Sequence, residues 1–210
     1  MRQALTEQQV ADFRARICAA AESLFAANGV NGVSMRTIAN KLGCSQTALY
    51  RYFTDKDEIL AAVRTSAFLR FAAQLESALT GRGARDDARA IGQAYLRFAR
   101  EEPDAYSLMF DLQQPDPSRY PELVAAVRRT QACATPYVQT MIDQGIIDGN
   151  VEELGHFFWA AAHGLVSLHA KGFMGFGGSL EELHATMMRH LLRGMSAQAA
   201  RRRTQEPDAA

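Results

Sequence analysis

The sequence predicts an all-α protein of about nine helices, and three observations support this fold class. Apolar residues recur at three- and four-residue spacings along most of the 210 residues, which is the period of an α-helix. The alternating pattern of a half-buried β-strand does not occur. Short stretches containing Gly, Pro, Asn or Asp separate the periodic segments, as expected for connections between packed helices.

The first helix is predicted to begin near Thr6, where the spacing to Gln9 resembles a capping box. It is predicted to end at Asn28-Gly29. A helix with one apolar stripe must bury it, so we expect this helix to pack across the next two. The stripe consists of Val10, Phe13, Ile17, Ala20, Leu24 and Phe25.

Two short helices follow, joined by a tight turn. Ser34 and Ser45 can cap them, because a serine oxygen accepts a backbone N–H that is unpaired at a helix start. Gly43 lies where the first of the two should end in a left-handed conformation. The four-residue pairs Ile38/Leu42 and Leu49/Phe53 supply the buried faces. The pattern is that of a helix-turn-helix, and it predicts a three-helix unit with the first helix.

The outward side chains of the second short helix favour contact with double-stranded DNA. Amide and guanidinium groups can form paired hydrogen bonds with purine edges, and hydroxyl groups suit phosphates. The alternative is a polar surface helix pair in an unrelated bundle. The predicted DNA-binding residues are Arg36, Ser45, Gln46, Thr47, Tyr50, Arg51, Tyr52 and Lys56.

The order and spacing of these motifs between residues 17 and 60 resemble the TetR family of transcriptional regulators. The matching stretches are ICAAAESLF (17–25), NG (28–29), VSMRTIA (33–39), GCS (43–45), LYRYF (49–53) and KDEIL (56–60). The resemblance implies base contacts by Arg36, Gln46 and Thr47. It implies phosphate contacts by Ser45, Tyr50, Tyr52 and Lys56. The sequence departs from the family at Cys44, where valine is more usual.

Charge and cysteine content agree with an intracellular DNA-binding protein. The net charge is zero, but residues 1–56 carry seven basic and four acidic side chains, 7 − 4 = +3. The three cysteines are far apart and form no CxxC or zinc pattern, which favours reduced thiols. Neither a signal peptide nor an apolar run of 18 residues occurs, so we expect a cytoplasmic protein with no membrane partner.

The chain is predicted to divide into a helix-turn-helix domain at 1–56, a ligand-binding and dimerisation domain at 57–196, and a disordered tail at 197–210. The second domain should contain six helices. We predict the first from Asp55 or Asp57 to about 79. The others are predicted at about 86–100, 103–112, 120–144, 151–171 and 180–195, with a kink at Pro136 in the helix at 120–144.

The eighth predicted helix, 151–171, is apolar nearly all round, which predicts burial on two sides. One side would face its own domain. The other, together with the ninth helix, would form a four-helix homodimer interface, as the family resemblance also implies. The alternative is a monomer that buries the eighth helix centrally.

A Trp-x-x-x-His-Gly pattern at Trp159, His163 and Gly164 resembles the WHG-type C-terminal domain of some TetR proteins. The family also implies a pocket for a small, largely apolar effector. The alternative for each candidate is ordinary core packing. The predicted ligand-binding residues are Tyr95, Phe98, Tyr106, Met109, Phe110, Tyr137, Met141, Phe158, Trp159 and His163.

Enzymatic and metal-dependent functions have weaker support. No Ser/His/Asp order, phosphate-binding loop or paired carboxylates stand out, so we predict no catalytic residues and no cofactor. The histidines lack close ligand spacing, so we predict no metal site. The predicted function is a ligand-responsive repressor that binds a palindromic operator as a homodimer. The alternative is a helical adaptor without specific DNA binding.

Overall fold

The computed structural model describes residues 6–111, 115–175 and 178–205, the last nine of these as backbone only. Within these ranges the chain forms ten α-helices and one 3-10 helix and contains no strand, which confirms the predicted all-α class. In chain order the helices are α1 (Glu7–Asn28), α2 (Met35–Leu42), α3 (Gln46–Leu49), α4 (Lys56–Ala78), α5 (Ala84–Glu101), α6 (Pro103–Met109), η1 (Pro117–Arg119), α7 (Pro121–Ala132), α8 (Thr135–Asp143), α9 (Val151–Ala170) and α10 (Leu180–Gln205).

The chain divides into two compact units. The first consists of Met1–Arg70 together with Glu102–Arg128, and the second consists of Phe71–Glu101 together with Arg129–Ala210. The first unit contains the predicted helix-turn-helix and also α6. The domain boundary predicted at residue 56 stays a prediction.

The core of the first unit is built from α1, α2, α3, the first part of α4, and α6. Ile17, Ile38, Leu49 and Ile59 have no exposed surface. Leu108 of α6 belongs to the same core and is 3% exposed. Each fully buried side chain of this size stabilises the fold by roughly 1.5–3 kcal/mol. The core therefore needs α4 and α6 in addition to the three predicted helices.

The second unit packs α5, α8, α9 and α10 against one another. Phe71 is the first residue of this unit. Its ring lies 5.0 Å from the ring of Tyr95 and 4.7 Å from the ring of Phe98. Both partners lie on the buried face of α5. None of the helices that the structure describes is long and apolar enough to span a membrane.

The predicted helix at 120–144 is wrong, because the structure has two helices there. α7 ends at Ala132 and α8 begins at Thr135. Pro136 lies in the first turn of α8, where its missing N–H breaks no hydrogen bond. The proline therefore begins a helix instead of kinking one.

Two other helix ends differ from the prediction. α6 ends at Met109, before the predicted end at 112. α10 continues to Gln205, past the predicted end at 195. Residues 196–205 contain no Gly or Pro and several Ala, Arg and Gln, which are good helix formers. The last five residues of the predicted tail, 206–210, lie outside the described residues.

Candidate nucleic-acid interface

The turn between α2 and α3 forms as the sequence predicts. The Ser34 hydroxyl accepts the N–H of Thr37 at 3.1 Å, and the Ser45 hydroxyl accepts the N–H of Ala48 at 3.2 Å. Gly43 adopts the left-handed conformation, with φ 66° and ψ 30°. The next N–H, of Cys44, donates to the carbonyl of Ala39 at 3.1 Å. The unpaired backbone groups at the end of α2 and the start of α3 are thus satisfied locally.

Helix α3, which the sequence predicts to contact DNA, is one turn long and presents a polar face. Leu49 and Phe53 are 0% and 1% exposed, as predicted, and Tyr50 and Arg51 between them are exposed. The Gln46 amide donates to the Tyr50 hydroxyl at 3.3 Å, which orients both side chains. The predicted base- and phosphate-contacting residues that are exposed are Arg36, Ser45, Gln46, Thr47, Tyr50 and Arg51.

The remaining two predicted phosphate contacts are partly buried and also support the fold. The Tyr52 ring lies 4.8 Å from the ring of Phe13 on α1. The Lys56 ammonium group donates to the carbonyl of Val30 at 2.8 Å. An ammonium group has three donors, so two remain for a phosphate.

Arg14 of α1 contacts residues 52 and 53, which follow α3, and the sequence alone did not predict this role. Its guanidinium group donates to the carbonyl of Tyr52 and, at 3.2 Å, to the carboxylate of Glu58. It also lies 3.9 Å from the ring centre of Phe53. Arg14 lies four residues after Val10 and three before Ile17, within the spacing of the apolar stripe. An arginine at a stripe position was the available signal.

Glu58 combines this ion pair with a cap on the loop before α4. Burial acts to raise the pKa of its carboxyl group, but hydrogen bonds from the Thr54 backbone and hydroxyl and from Arg14 outweigh burial and lower that pKa. The charged carboxylate therefore connects α1, the loop and α4 at neutral pH.

The predicted ligand-binding residues do not all fall in one unit. Seven belong to the second unit, where Tyr95, Phe98, Tyr137, Met141 and Phe158 are buried and Trp159 and His163 are half-buried. The other three, Tyr106, Met109 and Phe110, belong to α6 and its end in the first unit. A shared ligand site for all ten stays a prediction.

Polar groups lie among these aromatic residues of the second unit. His163 shares a 3.2 Å hydrogen bond with the Ser167 hydroxyl, and burial, followed by the charge of Lys171, lowers the pKa of His163. The rings of Tyr137 and Phe158 lie 6.3 Å apart. Burial raises the pKa of Tyr137, so its hydroxyl stays neutral and able to donate.

A cleft of about 400 Å³ lies in the first unit between α1, α4 and the start of α6. None of the ten predicted ligand-binding residues lines it. Both of its arginines are already paired, Arg70 with Glu22 at 3.2 Å and Glu102 at 2.7 Å and Arg14 with Glu58 at 3.2 Å. The described residues contain no cluster of His, Cys, Asp or Glu that could hold a metal ion. The lining residues are Arg14, Ala15, Cys18, Ala19, Glu22, Ser23, Phe53, Ala62, Ser66, Arg70 and Asp104.

Two family models match the chain. Residues 17–63 match the model of bacterial regulatory proteins of the tetR family. Residues 88–191 match the model of tetracyclin repressor-like C-terminal domains, and the Trp-x-x-x-His-Gly pattern lies within this stretch. The matches are to DNA-binding regulators and not to enzymes.

A curated relative is also a transcriptional regulator, in agreement with the two family models. The chain is 28% identical over 147 residues to an uncharacterised HTH-type transcriptional regulator of Mycobacterium tuberculosis, Rv0681. This match covers 70% of the chain and 65% of the relative, so the chain spans just under two thirds of that protein's length.

Solved structures share the fold. A protein of unknown function from Rhodococcus sp. RHA1 is 28% identical, with a TM-score of 0.74 and coverage of 87% of this chain and 95% of that one. The TetR family regulator PfmR of Thermus thermophilus is 22% identical, with a TM-score of 0.69 and coverage of 85% and 97%.

Proposed function

Because the chain belongs to the TetR family of transcriptional regulators, we propose that it is a homodimeric repressor whose palindromic operator is released when a small, largely apolar effector binds. The observation that carries this proposal is the capped helix-turn-helix with an exposed polar face on α3. A regulator of this kind acts on bacterial DNA, so its proposed location is the cytoplasm.

The proposed division of DNA contacts follows the family resemblance. Gln46, Thr47 and Arg36 read base edges, and the amide and guanidinium groups of Gln46 and Arg36 match the donor and acceptor patterns of the major groove. Ser45, Tyr50, Tyr52 and Lys56 hold phosphates, which sets register but carries no sequence information. Arg51 is exposed beside them and adds positive charge. The hydrogen bond between Gln46 and Tyr50 supports this proposal, because it pre-orients one residue of each class.

The proposed dimer uses α9 and α10, the eighth and ninth helices of the sequence prediction. Phe157 and Leu168 on α9 are 59% and 48% exposed. Between them lie Ala160 and Gly164, and a Cβ built at Gly164 would have no atom within 4 Å apart from the backbone of its own helix and its chain neighbours. This face is apolar and leaves room for a close helix approach, which supports a four-helix interface. A two-fold dimer would present two recognition helices to half-sites about one DNA turn apart.

The proposed effector binds among the aromatic residues of the second unit. Large apolar side chains with a few polar groups, here the Tyr95 and Tyr137 hydroxyls and the His163 imidazole, suit a largely apolar ligand with one or two polar anchors. The effector can release the operator only if it binds the non-binding conformation more tightly. No cofactor is part of this proposal.

The test is selection of bound sites from a random duplex pool, at about 0.15 M salt because phosphate contacts make affinity strongly salt-dependent. We expect enrichment of a two-fold symmetric site by the wild type and none by a Gln46→Ala/Arg51→Ala variant of equal thermal stability. A single, non-palindromic site would overturn the homodimer. No enrichment would favour the adaptor alternative. Transcription from the selected site, measured with and without the protein, would then decide between repression and activation.

A further inference from the structure

Arg119 and Asp55 join two parts of the first unit that lie 64 residues apart in the chain. Arg119 ends η1, and Asp55 lies in the loop between α3 and α4. The guanidinium Nη2 donates to the Asp55 Oδ2 at 3.2 Å. The two side chains are 51% and 43% exposed, so the pair is at the surface.

The segment that carries Arg119 is ordered by its own hydrogen bonds. The Asp116 carboxylate accepts the backbone N–H of Ser118 at 3.0 Å and its hydroxyl at 2.8 Å. The N–H of Arg119 donates to the carbonyl of Asp116 at 3.1 Å. The guanidinium carbon lies 5.3 Å from the ring centre of Tyr120. The turn at residues 116–120 therefore holds the Arg119 guanidinium group in a defined position.

Asp55 is fixed as well. Its Oδ1 accepts the N–H of Glu58 at 2.7 Å, which caps the start of α4. That hydrogen bond first, and then the one from Arg119, lower the pKa of Asp55, so the carboxylate is charged at neutral pH. In the chain it lies between Tyr52 and Lys56, the two half-buried residues proposed to contact phosphates. An unpaired carboxylate there would repel a phosphate backbone across a Debye length of about 8 Å at physiological salt.

We propose that Arg119 is a positioning residue for DNA binding, which neutralises Asp55 beside the phosphate contacts and holds the loop that carries them. This inference rests on the proposed function. Surface ion pairs of this exposure contribute little to folding stability. The effect of Arg119 is therefore on affinity for DNA, and equally for all sequences, because neither partner reads a base.

The test compares dissociation constants for the selected operator and for an unrelated duplex at about 0.15 M salt. Arg119→Ala should weaken binding to both by roughly three- to tenfold, as loss of one nearby charge implies. Adding Asp55→Asn to that variant should restore most of the affinity, and Arg119→Lys should retain it. The matched control is Arg129→Ala, whose pair with Glu76 has similar exposures of 48% and 40% but lies in the second unit.

Each outcome discriminates. If Arg119→Ala binds both duplexes as tightly as Arg129→Ala, Arg119 has no role in DNA binding. If Arg119→Ala lowers the melting temperature and Asp55→Asn does not restore binding, the pair is merely structural and the inference is overturned. If the wild type binds neither duplex, the proposed function itself fails, which is a separate result.

Discussion

Gly92 on α5 lies against the imidazole ring of His184 on α10. A Cβ built at Gly92 would lie 3.2 Å from the ring Nε2 and closer still to Cε1. Both residues are buried, and His184 is 7% exposed. A glycine inside a helix is normally unfavourable, so its presence here follows from the space that the ring occupies.

Replacing Gly92 with alanine should destabilise the second unit. The overpacking costs about 1–3 kcal/mol, and the gain of up to about 1 kcal/mol in helix propensity offsets only part of it. Urea unfolding followed by circular dichroism, at equal protein concentration, measures the change. His184→Ala in the same chain should reduce the penalty of Gly92→Ala. Gly155→Ala on α9 is the control, because a Cβ built there meets only the Ala134 Cβ, at an ordinary contact distance of 3.8 Å, and it should be neutral or stabilising.

His184 should also make stability depend on pH. Burial lowers its pKa from the ordinary 6.5, so the unfolded chain binds more protons than the folded chain at mildly acidic pH. The stability that the folded protein gains by keeping His184 neutral is complete above pH 6.5 and is lost as the pH falls below that value. The free energy of unfolding should therefore decrease from pH 7 to pH 5, and it should decrease less in His184→Gln. Equal slopes for both proteins would show that another group, such as His163, accounts for the whole effect.

Reading and anchoring residues should respond differently to mutation. Lys56→Ala should weaken binding to every duplex and reduce the salt slope by about one. Gln46→Ala should relax the preference at one base position at a cost of roughly 1–3 kcal/mol. Binding measured on the operator, on a single-base variant and on random DNA separates the two. Equal losses on all three for both variants would refute the division. Because the Lys56 ammonium group also donates a hydrogen bond to the Val30 carbonyl, the melting temperature of the Lys56→Ala variant must be recorded as a control.

A charge on the exposed face of α9 should separate the proposed dimer. Phe157→Glu would bury a carboxylate in an apolar interface, so analytical ultracentrifugation should show a monomer with weakened operator binding. Phe173→Glu is the control, because Phe173 is 71% exposed and lies after α9 ends. If both variants remain dimeric, the interface lies elsewhere.

The local features of the helix-turn-helix could be predicted because their signals are local. Capping serines, Gly43 and four-residue apolar pairs act within a few residues of themselves. The position of Arg14 in the apolar stripe was a signal, but its partners could not be predicted, because they lie 38 and 44 residues further along the chain. The break after Ala132 was also missed, because Pro136, the second residue of α8, fits a kink within one helix as well as the start of a new one. Periodicity cannot distinguish a buried aromatic residue from one lining a pocket, so the ligand site stays a prediction.

Leu108 of α6 packs into the core of the first unit, although it belongs to the second of the two stretches that form this unit. Its carbonyl also accepts the Nε–H of the fully buried Arg64 at 2.7 Å. A fragment cut after Arg70 would leave this side of the core open to water. A chimaera that exchanges the first unit between two regulators would therefore have to transfer both of its stretches, Met1–Arg70 and Glu102–Arg128. A fusion at a single crossover between them would combine the α1 of one parent with the α6 of the other.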